Sequence, residues 1–97
     1  MDTKINLKLI LEKHKKYSNN EKGGERADLS DANLSDANLW NADLRKADLS
    51  DADLRKADLS DANLWNAYLW RANLRKADLS DYDNAPSRNT RILGLLQ

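Results

Sequence analysis

Leucine returns every five residues over most of this chain, at Leu29, Leu34, Leu39, Leu44, Leu49, Leu54, Leu59, Leu64, Leu69, Leu74 and Leu79. Alanine precedes each by two, from Ala27 to Ala77, and the residue between is Asp or Asn in ten units and Tyr68 in one. Neither common regular structure has this period. Five helical residues turn by about 500°, so the leucines would smear around a helix. In a straight strand, an odd spacing sends successive leucines to opposite faces. Within one unit, however, Ala and Leu are two apart and share a strand face. The pattern therefore predicts a short extended segment followed by a bend of the same sense in every unit. The result is a flat-sided coil with Ala and Leu on the axis and the other three residues in water.

The unit Ala-Asp/Asn-Leu-x-x, repeated from Ala27 to Asp81, resembles that of the pentapeptide-repeat proteins. The resemblance implies an all-β solenoid, a right-handed quadrilateral β-helix with four units per coil, here about 2.75 coils. At about 4.8 Å per coil such a column is about 13 Å tall. A short solenoid leaves both ends open unless they are capped. The expected organisation is an N-terminal helical cap and loop at 1–26, the repeat at 27–81, and a C-terminal cap or dimerisation tail at 82–97.

Leu7, Ile10, Leu11, His14 and Tyr17 form one helical stripe, with Lys8, Glu12, Lys13, Lys15 and Lys16 facing out. The rival is a strand, since Ile5, Leu7, Leu9 and Leu11 also alternate; the helix is preferred because the pattern beyond residue 11 fits only a helix. Asp2 or Thr3 is the expected N-cap, with the first turn starting at Lys4. The apolar face should lie over the bottom of the column and shield its unpaired backbone edge. Ser18-Asn19-Asn20 and Gly23-Gly24 mark a loop. At the far end Tyr82 stands where the next Ala belongs and is too large for an ordinary layer. Ile92, Leu93, Leu95 and Leu96 form a second apolar patch. This patch, with Tyr82, either folds over the top layer or meets its copy in a homodimer.

Composition narrows the function. The formal charge is zero, with 16 Lys and Arg against 16 Asp and Glu. It divides as +3 over residues 1–26, −4 over 27–81 and +1 over 82–97. There is no global pull towards nucleic acid or anionic membrane. The chain has no Cys, which excludes disulfides and thiol chemistry. No apolar run approaches the roughly 18 residues of a membrane span, and no signal peptide is evident, so a cytoplasmic protein is expected.

With four units per coil, residues twenty apart stack. The bend residues Arg55, Lys56, Arg75 and Lys76 then form a basic patch on one side. Trp40, Trp65 and Trp70 occupy outward corners on successive sides in successive coils, a diagonal stair with Tyr68 and Arg71 beside its upper end. Tryptophan is enriched at binding hot spots. The stair is therefore read as a partner or self-association surface, the alternative being corners shielded by the helix, the tail or Arg and Lys stems. The Asp/Asn row has two readings as well. It bonds backbone groups at the bends, or it presents an acidic surface imitating a nucleic-acid backbone.

His14 is the only histidine, so a His-based metal cluster or catalytic dyad is excluded. The carboxylates are expected to be solvated, which argues against a general acid. No catalytic residue, cofactor or metal is expected. The expected function is a non-enzymatic module presenting a rigid surface to a protein partner. One alternative, which the resemblance implies, is a nucleic-acid mimic that inhibits or protects a nucleic-acid enzyme, either gyrase-like or a phage–host conflict target such as a CRISPR effector. This chain departs from the gyrase-directed pattern in its short column, near-zero charge and lack of a projecting loop. A second alternative is weak nucleic-acid binding through Trp and Arg, against which the net charge argues.

Overall fold

A computed structural model describes residues 6–80 of the chain. Tyr82, Ile92, Leu93, Leu95 and Leu96, the expected self-association residues, lie outside the described residues, as do Asp2 and Thr3. The one helix among the described residues is α1, Leu7–Ser18. It begins later than the expected start at Lys4. Asn6 is its N-cap, and the Asn6 Oδ1 accepts the Leu9 N–H at 3.1 Å. Asn is among the best N-cap residues, and Asn6 stands directly before the apolar stripe. No helix among the described residues is long and apolar enough to cross a membrane.

After α1 the chain turns back on itself. Glu25 N–H bonds Lys13 O at 3.0 Å. Gly23 has φ +85°, a conformation glycine adopts without steric cost. At Gly24 a Cβ would lie 2.3 Å from the Tyr17 backbone nitrogen, so a larger residue cannot approach the helix this closely.

From Ala27 the chain coils. Parallel bridges join residues twenty apart: Asp28 to Asp48, Asn33 to Asp53, Asn38 to Asp58 and Asp43 to Asn63, continuing from Asp48 to Tyr68, Asp53 to Asn73 and Asp58 to Asp78. Twenty residues are four five-residue units, so each coil has four sides. Each rung uses backbone groups on both sides of the bridge, as in Leu29 N–H to Asp48 O at 2.7 Å and Asp48 N–H to Ala27 O at 3.0 Å. The pairing is made of isolated bridges, where continuous strands would be the simplest form of an all-β solenoid. Two residues of each unit are spent on the bend, which leaves too little extended chain for a longer ladder.

The bend is the same at every corner. Leu29 O accepts the Ala32 N–H at 3.1 Å, and the residue before Ala32 has positive φ. That residue is Asp31, Asp36, Asn41, Lys46, Asp51, Lys56, Asp61, Asn66, Arg71 or Lys76 in turn, with φ between 60° and 66°. A left-handed residue with a Cβ costs roughly 1–2 kcal/mol. Burying the unit's leucine contributes about 1.5–3 kcal/mol, so each unit offsets its own bend only when its leucine is covered. Leu29 through Leu69 are all at most 3% exposed. Leu7, Ile10 and Leu11 of α1 pack against this core at the first coil, where Ala32, Ala37 and Ala42 are partly covered. Leu74 and Leu79, in the last coil, are partly buried.

Candidate functional site

The outer surface is set by what each Asx side chain does. Asp28, Asn33, Asn38, Asp43, Asp48, Asp53, Asp58, Asn63, Asn73 and Asp78 each accept, through Oδ1, the backbone N–H two residues ahead. This is the bond that makes Asx residues good at bends. A second donor then joins many of these carboxylates. Ser30 and Ser50 hydroxyls donate to Asp28 and Asp48 at 2.6 Å. Arg55 makes a bidentate pair with Asp53 at 2.8 and 2.6 Å, and Arg45 does the same with Asp43.

These bonds hold the carboxylates ionised. The Arg55 side-chain and backbone hydrogen bonds lower the Asp53 carboxyl to about 2. The Ser30 hydroxyl and N–H lower Asp28, and those of Ser60 lower Asp58. Burial raises the Asp43 carboxyl, but its bonds from the Arg45 side chain and backbone outweigh that and leave it lowered.

The chemistry of the row explains where the tryptophans stand. Every Asp in the row is followed two residues later by Ser or Arg, each able to donate to it. Trp40 and Trp65 follow Asn38 and Asn63, and Trp70 follows Tyr68, which offers no carbonyl acceptor to the bend. The aromatic corners are thus all without a carboxylate beneath them, a condition they share with Ser35 after Asn33 and Arg75 after Asn73.

Trp40, Trp65, Tyr68 and Trp70 are 58%, 45%, 56% and 63% exposed, so none of them is buried by the described residues. They do not share one setting. Trp40 borders a depression with Lys8, Leu11, Glu12 and Lys15 of α1. Trp70 lies under the Arg71 guanidinium, 5.4 Å from ring centroid to Cζ, and Arg71 is paired with Asp51 at 2.8 Å. In the expected basic patch, Arg55 is neutralised by Asp53, while Lys56, Arg75 and Lys76 stand exposed.

Trp65 and Tyr68 meet residues that the sequence did not single out. Trp65 borders a cavity of about 240 Å³ with Tyr17, Ser18, Asn20, Arg45 and Lys46. Tyr68 borders an adjoining depression of about 450 Å³ with Tyr17, Arg26, Lys46 and Asn66. The two share Tyr17 and Lys46 and make one cleft where the end of α1 meets the column. The Arg26 Nε donates to Lys46 O at 2.7 Å, and its guanidinium lies 4.6 Å from the centre of the Tyr68 ring. The signal for this was present, because Arg26, Lys46 and Asn66 are twenty apart and stack like any other bend column. The position of Tyr17 had no such signal, since it depends on how α1 docks.

His14, expected on the helix face, is fully buried. Its Nδ1 accepts the Ala27 N–H at 2.8 Å and its Nε2 meets Arg45 O at 2.7 Å. The imidazole therefore ties α1 to both ends of the first coil. Among the described residues, the Asn66 Oδ1 is a buried side-chain oxygen with no hydrogen-bond partner.

A family model described as pentapeptide repeats matches residues 25–61 and 57–81, in 8 copies. No curated protein matches the chain.

Proposed function

The chain belongs to the pentapeptide-repeat family, and on that premise we propose that it is a non-enzymatic interaction module, built on the family's right-handed quadrilateral β-helix, that presents a rigid surface to a protein partner. The observation that carries the reading is the exposure of four large aromatic side chains on a backbone fixed at every bend. An exposed aromatic on a rigid support loses little conformational entropy on binding, and aromatic side chains dominate interface hot spots.

Protein recognition is favoured over imitation of a nucleic-acid backbone. In the Asx row, Asp43 and Asp53 are neutralised by Arg45 and Arg55, and the uncharged Asn33, Asn38, Asn63, Tyr68 and Asn73 interrupt the remaining carboxylates. What remains outward is aromatic and of mixed charge.

Affinity capture from a host lysate tests the reading. Wild type is compared with a variant carrying Trp40→Ala, Trp65→Ala and Trp70→Ala, after melting curves establish that both are folded. Partners retained by the wild type and lost by the variant are expected. Identical partner sets would end the proposal.

A further inference from the structure

The cleft between α1 and the side of the column that carries Lys46 and Asn66 sets unpaired positive charge beside aromatic rings. Lys13, Arg45, Arg55 and Arg71 are each paired with a carboxylate. Arg26 and Lys46, stacked in one bend column of the cleft, have no ion-pair partner among the described residues. Arg26 spends Nε on the Lys46 carbonyl, and guanidinium has further N–H donors to give. Around these two cations stand the Tyr17, Trp65 and Tyr68 rings. The Arg45 charge, on the same cleft, is cancelled by Asp43. The local surplus is two positive charges beside an aromatic floor.

We propose that this cleft binds an acidic segment of a partner protein, with carboxylates on Arg26 and Lys46 and an apolar or aromatic side chain seated against Trp65 and Tyr17. The inference rests on the interaction-module reading and specifies its face and its partner chemistry. Two cations match a pair of carboxylates. They fall short of the run of phosphate contacts that sustains nucleic-acid binding, and residues 27–81 carry a net −4 that repels a polyanion beyond the cleft. Ser18, Asn20 and Asn66 border the same space and offer hydrogen bonds to an extended backbone. The walls are set before binding, because His14 bonds both Ala27 and Arg45 and Gly24 holds the loop against Tyr17. A preformed cleft lowers the ordering cost of association.

The test is selection of a displayed library of random peptides on the immobilised full chain, followed by titration of the selected peptide into isotope-labelled protein. Enriched peptides should place Asp or Glu on both sides of an apolar or aromatic residue. Titration should move the Trp65 indole signal and leave the Trp70 indole signal in place. Lys46→Gln, at an exposed side chain, should weaken binding severalfold, and Arg26→Gln with Lys46→Gln by about fivefold or more. Peptides enriched without acidic bias, affinity unchanged in both variants, or oligothymidylate binding as tightly as the selected peptide would each overturn the inference. Partners captured from lysate that are lost with the Trp substitutions but kept with Lys46→Gln would leave the interaction module standing and remove only the acidic-segment assignment.

Discussion

The His14 imidazole donates its Nε2–H to the backbone carbonyl of Arg45 at 2.7 Å. The tautomer follows from the other nitrogen: Nδ1 accepts the Ala27 N–H at 2.8 Å, so the proton must sit on Nε2. The ring is completely buried, and protonating Nδ1 would set two hydrogens against each other. Burial lowers its pKa from the ordinary 6.5; the Arg45 carbonyl and the Asp43 charge oppose this, Arg26 and Arg45 add to it, and the net is downward.

The sign of the pH effect follows. Below 6.5 the unfolded chain takes up a proton on this residue that the folded chain resists. Stability should therefore fall as pH drops from 6.5 towards the lowered folded value, and be independent of His14 above it. Melting temperatures of wild type and His14→Ala, measured from pH 8 to pH 5, check this. The wild type should lose stability over the acid part of that range and the variant should show a flatter profile. The variant itself should be less stable at pH 8 by about 1–3 kcal/mol, because it leaves Ala27 N–H and Arg45 O buried without partners.

A second acid step belongs to the carboxylates. Asp28, Asp43, Asp53 and Asp58 all lie below the ordinary 3.8 when folded. Their contribution is present above that value and is lost as pH falls through it towards the folded values, about 2 for Asp53. Asp53→Asn keeps the Oδ1 acceptor for the Arg55 N–H and should shrink this step while leaving the fold intact. Acid titration followed by circular dichroism measures it.

The core predicts its own gradient. Leu54 is fully buried in the middle of the column, and Leu54→Ala should cost about 2–5 kcal/mol in chemical denaturation. Leu79, partly buried in the last coil, should cost less when truncated. Leu54→Asp places an unpaired charge in the axis and should abolish cooperative melting. A soluble, cooperatively folded Leu54→Asp variant would contradict the inward placement of the leucines.

The bends leave stability unclaimed. Lys56 has φ +62°, where glycine has no steric penalty. Lys56→Gly should raise stability by about 0.5–1 kcal/mol, part of the relieved strain being returned as unfolded-chain entropy. Gly24→Ala should do the reverse, since its Cβ would fall 2.3 Å from Tyr17 N. A thermal melt of each variant gives the two signs directly.

Tyr68 separates stability from recognition. It replaces the Asx that bonds the bend in the other units, and it lies against Arg26. Tyr68→Asn restores an acceptor for the Trp70 N–H and should stabilise the corner by about 0.5–1.5 kcal/mol. The same change removes an aromatic wall of the cleft and should weaken binding of the selected acidic peptide. A variant that melts higher and binds worse is the expected result, read from melting and titration of one preparation.

Read alone, the five-residue period determined which residues face inward and that the chain bends in every unit, and it offered bonding of the bends as one of two readings of the Asx row. Those features are local: each unit's φ values, its turn bond and its Ala-x-Leu face are set within a handful of neighbouring residues. The helix was legible from its stripe, although its start was placed too early: Asn6, a strong N-cap directly before the stripe, was passed over for Asp2 or Thr3. The tertiary structure decided what depends on distant parts meeting. The bridges between residues twenty apart set four sides per coil, a number the period leaves free. Docking of α1 buried His14 against residues 13 and 31 positions away and put Tyr17 beside Trp65 and Tyr68. It also divided the expected aromatic stair into separate settings. No spacing rule carries that information, because it arises from how a helix without the repeat's period covers the end of a coil that has it.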